Sequence, residues 1–266
     1  MIDAHVHLWQ LGRHDCTWPT PADGPLFRDW RLDDLLPEVE AAGVDQVMLV
    51  QSQESSADTA WLLDVATVEP RVAGVVGWAD LADRAGMAAL PSSPALRGLR
   101  PMVQNKAADW YDRPELASGL TAMADRGLVL DALVRPAHLP SLTRLAARRP
   151  DLAIVIDHAA KPAGQAGLAA WVAAIAPLVL HPAVWVKVSG LLTELPVEAV
   201  PGAIEALLAL FGAERLIWGS DWPVVTASST YRQWLDLARG AVPVADRSAL
   251  FGGNAARCYR LEPADA

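Results

Sequence analysis

Residues 128–162 read LVLDALVRPAHLPSLTRLAARRPDLAIVIDHAAKP, and this stretch shows the alternation of apolar runs and helical segments from which the fold is predicted. Two apolar runs, 128–135 and 152–162, flank a segment typical of an amphipathic helix that ends in the basic run RLAARRP. Near-continuous apolar strands separated by helices are typical of a parallel sheet whose outer face those helices cover. The stretch therefore predicts a strand, a helix and a second strand parallel to the first.

The same alternation continues through the whole sequence. Eight runs have the length and composition of strands, with helical segments between them: 2–8, 44–51, 72–80, 96–103, 128–135, 152–162, 184–191 and 216–223. Eight such units in a chain of 266 residues predict an α/β fold, a (β/α)8 TIM barrel. No internal repeat or linker divides the chain, so we expect a single domain over residues 1–266. An open doubly wound sheet is the alternative.

The composition limits the partners of this chain. Its formal net charge is −9, and no basic stripe offsets it, which argues against a nucleic-acid partner. The most apolar stretch, residues 167–190, is broken by Pro177 and Pro182 and is not a membrane span. Cys16 and Cys258 have no metal-binding or redox spacing, and no basic region followed by an apolar run is seen near residue 1, so we expect no export signal. We therefore expect a cytoplasmic protein that binds a small molecule and neither nucleic acid nor membrane.

The first predicted strand carries two histidines, His5 and His7, spaced two residues apart. Residues with this spacing point to the same side of a strand, so Asp3, His5 and His7 should share one face. Buried polar groups need partners because an unpaired one is costly. The two imidazoles are therefore either hydrogen-bonded within the core or act together as ligands, and the motif alone leaves both interpretations open.

Further polar residues lie where the other predicted strands end. In a TIM barrel the carboxyl ends of the strands meet at one face, where the loops build the active site. The residues expected to meet the two histidines there are Gln51, Gln53, Arg100, Asp157, His158, Lys161 and Asp221. Asp157 also fits a simple role as a cap of the turn after strand six. The loop 9–30, rich in tryptophan and proline, is too long for a simple turn and should wall a pocket.

Several of these segments together resemble the amidohydrolase superfamily. They are DAHVHLW (3–9), GLRPMVQ (98–104), RPAHLP (135–140), DHAAKP (157–162) and GSDWP (219–223), in this order and spacing. The resemblance extends from Asp3 to about Asn254 and is closest to the amidohydrolase-2 branch, the lactonases of sugar acids. It implies a hydrolase that opens an aldonolactone in carbohydrate catabolism. L-Fucono-, L-rhamnono- and L-arabinono-lactones and a muconolactone type are all compatible with it.

The resemblance also implies roles for individual residues. Asp221 would activate water, and His5, His7 and His158 would bind one divalent metal, together with Asp221, or the lactone carbonyl. Many members of the superfamily bind two metals, but here strand four offers Arg100 rather than a carboxylate, and strand five has no histidine. We therefore expect one Zn²⁺ or catalysis without metal. The residues expected to contact the substrate are Arg100, Gln51, Gln53, Lys161, Trp9 and Trp222.

Two other functions remain open at this point. The nearer one is a zinc-dependent decarboxylase of an aromatic or dienoic acid, since related barrels resemble this chain at strands one, six and eight. The other is a non-catalytic barrel that binds a small ligand. A homo-oligomer is compatible with all three functions.

Overall fold

The computed structural model describes residues 1–261 and contains eight parallel strands arranged as a barrel. The eight strands pair in sequence order, and the segment after the last strand returns to the first through a bridge between Trp222 and Val6. The predicted TIM barrel is confirmed, and the open doubly wound sheet is wrong. Residues 262–266 of the predicted domain lie outside the described residues. Strands β1 to β8 are, in order, Ile2–Val6, Gln46–Val50, Val72–Gly77, Leu96–Leu99, Val129–Ala132, Ile154–Ile156, Val184–Val188 and Leu216–Trp218.

Helices form the outer layer. Within residues 1–261 the α-helices α1 to α9 are Leu32–Ala42, Ser56–Val68, Arg84–Ala88, Ala117–Asp125, Leu139–Arg148, Leu168–Ile175, Val200–Phe211, Tyr231–Ala241 and Asn254–Tyr259. Helix α5 is amphipathic as predicted: Leu142 and Leu145 are fully buried, whereas Arg144 and Arg148 pair with Asp112 at the surface. In the part of the chain that the structure describes, no helix has both the length and the apolar character that a membrane crossing requires.

The apolar core forms two layers separated by the strands. The larger layer lies between strands and helices, and the smaller one fills the barrel with side chains such as Ala4, Met48, Val129 and Ile217. Toward the carboxyl ends of the strands the barrel interior becomes polar. The fold therefore places its buried charges directly beneath the face where active sites form in such barrels.

A β-bulge in β1 determines where its polar side chains point. Asp3 is opposite Val47 and Val6 is opposite Leu49, so β1 has one extra residue between these pairs. As a result Asp3 points outward, where its carboxylate accepts hydrogen bonds from Ser220 N (2.8 Å) and the Tyr231 hydroxyl (2.8 Å). The prediction that Asp3 shares a face with His5 and His7 is therefore wrong, because strict alternation fails at the bulge.

Candidate active site

Three buried side chains from the two ends of the sheet meet at the carboxyl-terminal face. His5 Nε2 lies 3.1 Å from His7 Nε2 and 3.7 Å from Asp221 Oδ1, and the His7–Asp221 distance is 3.4 Å. The backbone holds them in register, since Asp221 N donates to the His5 carbonyl and His7 N to the Trp222 carbonyl. These three residues form a group that could hold a metal ion.

The orientation of the imidazoles fits a bound cation. His7 Nδ1 lies 2.7 Å from the Val50 carbonyl, which can only accept, so Nδ1 carries the proton and Nε2 presents a lone pair. This lone pair faces the Asp221 carboxylate at 3.4 Å, and two such acceptors repel each other unless a positive charge lies between them. The separations of 3.1–3.7 Å also suit a zinc ion. Ligands at about 2.0–2.1 Å in tetrahedral geometry lie about 3.3 Å apart.

His158 lies beside this group rather than within it. Its Nε2 is 4.0 Å from Asp221 Oδ1, and its Nδ1 contacts the Ser189 hydroxyl at 2.9 Å. Since a hydroxyl can donate or accept, this contact allows Nε2 to carry a proton. His158 (φ +50°) and Asp221 (φ +60°) both adopt the left-handed conformation, which is uncommon for non-glycine residues and recurs at functional sites. The structure thus groups three of the four predicted metal ligands and leaves the fourth adjacent.

Burial and charge determine the ionisation of the site. Burial lowers the pKa of His7 and lowers that of His158 to about 4. Burial alone would raise the pKa of Asp221, but attraction to the surrounding imidazoles, that of His158 first, outweighs it, so this pKa is well below its ordinary value. At neutral pH the site therefore presents neutral imidazoles and an ionised carboxylate, the protonation state that binds metals.

A cavity of about 350 Å³ opens above the group, and its floor includes His7, His158 and Asp221. Two of the predicted substrate contacts, Arg100 and Lys161, line this cavity. Each of these cations has an acidic neighbour: Lys161 Nζ is 3.2 Å from Glu194, and an Arg100 nitrogen is 3.7 Å from Asp157. The remaining walls include the polar residues Ser52, Gln104 and Asn105 and the apolar residues Trp18, Met102 and Leu133.

The other predicted substrate contacts lie behind the cavity wall. Gln51 is fully buried and donates to the Arg100 carbonyl at 2.8 Å. The Trp9 indole donates to the Arg28 carbonyl within the loop 9–30, and Trp222 packs against Trp30. Both indoles are almost completely buried, so neither can stack on a ligand in this structure. The corrected assignment is that Trp18 supplies the indole facing the cavity.

Gln53 binds the loop rather than the cavity. Its Oε1 accepts from the backbone N–H groups of Thr17 (2.9 Å) and Trp18 (3.3 Å), and its Nε2 donates to the Trp18 carbonyl (2.7 Å). The amide thus bonds to Trp18 as a neighbouring β-strand would. Ser55 adds a second attachment by donating to Asp15 at 2.6 Å. Trp18 of the loop 9–30 thus lines the cavity, and the segment that follows β2 holds this loop in place.

Sequence reasoning missed Lys187, a buried charge that supports the site. Lys187 of β7 is fully buried and lies 2.5 Å from Asp131 and 3.2 Å from Asp157. A usable signal was present: the run VWVKV has one lysine inside an apolar strand, and a buried lysine needs acidic partners. The cap role considered for Asp157 is wrong, because within residues 1–261 no backbone N–H donates to its carboxylate, which instead contacts Lys187 and His5.

Comparison with known proteins identifies relatives over nearly the full length. L-fucono-1,5-lactonases from Burkholderia ambifaria and Burkholderia multivorans are 43% and 36% identical to the chain. The alignments cover 98% and 100% of this chain and 96% and 98% of those proteins. A crystal structure of an amidohydrolase from B. multivorans with bound zinc superimposes with a TM-score of 0.92 at 35% identity, covering 98% of this chain and 99% of that one. The family model described as Amidohydrolase matches residues 2–261, so this chain belongs to the amidohydrolase family.

Proposed function

We propose that the protein hydrolyses a sugar-acid lactone, with L-fucono-1,5-lactone as the first candidate. The observation that carries the proposal is the buried group of His5, His7 and Asp221 at the floor of a cavity lined by Arg100 and Lys161. Two relatives named L-fucono-1,5-lactonase, one of them 43% identical, support this choice of substrate. These relatives favour a lactonase over the decarboxylase. The ionised carboxylate of Asp221 among neutral imidazoles favours catalysis over simple ligand binding.

We further propose that His5, His7 and Asp221 hold one divalent cation, preferably zinc. Their converging donor atoms fit such an ion, and a structurally similar amidohydrolase has been crystallised with zinc. When bound, zinc would polarise the lactone carbonyl as a Lewis acid. Because Arg100 occupies the position where a bridging carboxylate would be needed, we propose a single ion.

The residues of this chain would move the proton. Asp221 takes a proton from the attacking water as the water oxygen bonds to the lactone carbonyl carbon. His158, with Nε2 protonated and Nδ1 held by Ser189, donates a hydrogen bond to the carbonyl oxygen as negative charge develops there. The ring C–O bond then breaks, and Asp221 returns its proton to the departing oxygen. One lactone and one water thus yield one hydroxy acid.

The walls would orient the sugar. The cations Arg100 and Lys161 attract ring hydroxyls and the carboxylate of the product, while Trp18 offers an apolar surface to the ring face. Cytoplasmic location, the absence of nucleic-acid and membrane partners, and oligomeric state stay predictions.

A two-reaction comparison tests the class of chemistry. A panel of 1,5- and 1,4-aldonolactones is assayed by pH-indicator proton release, and aromatic carboxylic acids are assayed in parallel for CO₂ release. We expect proton release from aldonolactones and no CO₂. Release of CO₂ without lactone opening would replace the lactonase with the decarboxylase.

Metal removal is expected to leave a vacant, high-affinity site for one ion. Dialysis against a chelator followed by zinc titration should restore one zinc per chain, measured by elemental analysis. His7→Ala should lower zinc affinity by about 100-fold or more, because one of three protein ligands is lost. His138→Ala is the matched control, since this buried imidazole instead contacts the backbone carbonyls of Arg135 and Lys106. Equal zinc affinity in the His7 variant and the wild type would remove His7 as a ligand.

Loss of the loop attachment should weaken substrate binding. Gln53→Met removes three hydrogen bonds that place Trp18, so we expect KM to rise about 10-fold with kcat nearly unchanged. Gln165→Met, an exposed glutamine on another loop, is the control. Faster tryptic cleavage at the exposed Arg13 or Arg28 should accompany the change in KM. An unchanged KM would show that the hydrogen bonds from Gln53 are not required to place Trp18 for substrate binding.

A further inference from the structure

We propose that Asp157 is a positioning residue that fixes the tautomer of His5, so that His5 Nε2 is ready to bind the metal. The inference rests on the metal-binding part of the proposed function. It adds a carboxylate–histidine–metal arrangement, in which the carboxylate accepts from the imidazole nitrogen that does not face the metal.

The contact with His5 is direct. His5 Nδ1 lies 3.5 Å from Asp157 Oδ1, and both side chains are completely buried. Apart from the Lys187 ion pair, neither atom has a hydrogen-bond partner within residues 1–261, so each is free to pair with the other. A proton on His5 Nδ1 would satisfy both atoms and leave Nε2 as a lone pair directed at His7 and Asp221.

His5 needs this partner more than His7 does. His7 Nδ1 is fixed by the Val50 carbonyl, an acceptor supplied by the backbone of β2. Within the described residues no backbone carbonyl bonds to a ring nitrogen of His5, so a side chain must supply the acceptor. Asp157 directly follows β6, and the neighbouring residue His158 already belongs to the site.

The charges around Asp157 keep it an acceptor. Lys187 Nζ is 3.2 Å from its Oδ1 and an Arg100 nitrogen is 3.7 Å from its Oδ2. Opposite charges at such distances favour the ionised carboxylate, which can only accept hydrogen bonds. An asparagine at this position could instead donate from its NH₂ group to His5 Nδ1. This contact favours the tautomer with the proton on Nε2, and a protonated Nε2 has no lone pair with which to bind the metal.

Asp131 provides an internal control within the same network. It also pairs with Lys187, but its other partner is the Tyr259 hydroxyl of α9 at 2.9 Å. Asp131→Asn and Asp157→Asn therefore each remove one of two buried carboxylates from the same lysine. Only Asp157 also touches a residue of the metal group.

The experiment compares zinc affinity in wild type, Asp157→Asn and Asp131→Asn by competition with a chromophoric chelator. We expect the zinc Kd to rise about 10- to 100-fold in Asp157→Asn and to change less than about threefold in Asp131→Asn. Unchanged affinity in Asp157→Asn, or an equal loss in both variants, would overturn the proposal. If wild type binds no zinc, both this inference and the metal site fail; if it binds zinc but opens no lactone, only the lactonase proposal fails.

A measurement on the wild type covers the case in which Asp157→Asn does not fold. ¹⁵N-labelled histidine NMR of the metal-free protein reports which nitrogen of each imidazole carries the proton, with the His5 signal assigned by a His5→Gln variant. We expect His5 protonated on Nδ1 before any metal is added. Protonation on Nε2 would overturn the proposal without any use of the variants.

Discussion

Replacement of Asp221 with asparagine should lower kcat on L-fucono-1,5-lactone by about 10³- to 10⁴-fold, because the proposed general base is lost. Asparagine has nearly the same shape, but it cannot take a proton from water or return one to the departing oxygen. The change also removes the negative ligand of the metal group, so zinc affinity should fall as well. The rates are measured by proton release under zinc saturation, which separates the loss of the base from a loss of metal.

A matched control for this variant is Asp58→Asn. Asp58 is also buried, and burial raises its pKa to about 7, but its carboxylate accepts from the backbone N–H groups of Ser52 and Gln53 outside the metal group. An asparagine oxygen can accept the same bonds, so kcat should stay within about threefold of wild type. An Asp221 variant that keeps more than about a tenth of the wild-type kcat would remove Asp221 as the base.

Replacement of Lys187 with methionine should lower the free energy of unfolding by about 3–5 kcal/mol at neutral pH. The variant leaves Asp131 and Asp157 fully buried without the cation they share, and an uncompensated buried charge is strongly destabilising. Urea denaturation followed by circular dichroism measures the loss. Tyr259→Phe, which removes a single hydroxyl from Asp131, should cost about 1–2 kcal/mol. Equal losses in the two variants would contradict a dominant role for the ion pairs.

The effect of pH on the Lys187 variant has a definite sign. Burial raises the pKa of Asp131 to about 6 even with Lys187 present, so ionisation of this carboxyl already destabilises the fold above its ordinary pKa. Without Lys187 the penalty grows, and protonation of Asp131 relieves it. Without the cation, Asp131 should take up its proton above the wild-type pKa of about 6, so the stability gap to wild type should narrow as pH falls from above neutral toward about 6. Attraction to Asp131 and Asp157 outweighs burial and raises the pKa of Lys187, so wild type keeps the ion pairs through neutral pH.

The barrel was predictable because burial on both faces makes each strand an apolar run. All eight runs contain a strand, although the strands are shorter than the runs, since residues beyond the last hydrogen-bonded pair already belong to the loops. The meeting of His5, His7 and Asp221 was predictable for a topological reason, as the carboxyl ends of parallel strands share one face. The bulge in β1 was not predictable, because an extra residue changes the pairing register of a strand without leaving a distinctive sequence signature.

The surroundings of the site were harder to predict. Several tryptophans lie near the pocket mouth, and which indole lines it depends on how the loop 9–30 folds back on Gln53. Partners such as Lys187 and Asp157 come from strands adjacent in the barrel, and a single sequence reveals that a buried charge needs a partner but not which residue provides it. The left-handed conformations of His158 and Asp221 likewise depend on the tertiary structure around them.

The most direct test of the central claim is the initial rate of acid release from L-fucono-1,5-lactone by zinc-saturated wild type, compared with spontaneous ring opening at the same pH. If the His5–His7–Asp221 group opens sugar-acid lactones, the enzymatic rate should exceed the spontaneous rate by several orders of magnitude, and NMR should identify L-fuconate as the product. A rate equal to spontaneous opening for this lactone and for the other aldonolactones would contradict the claim.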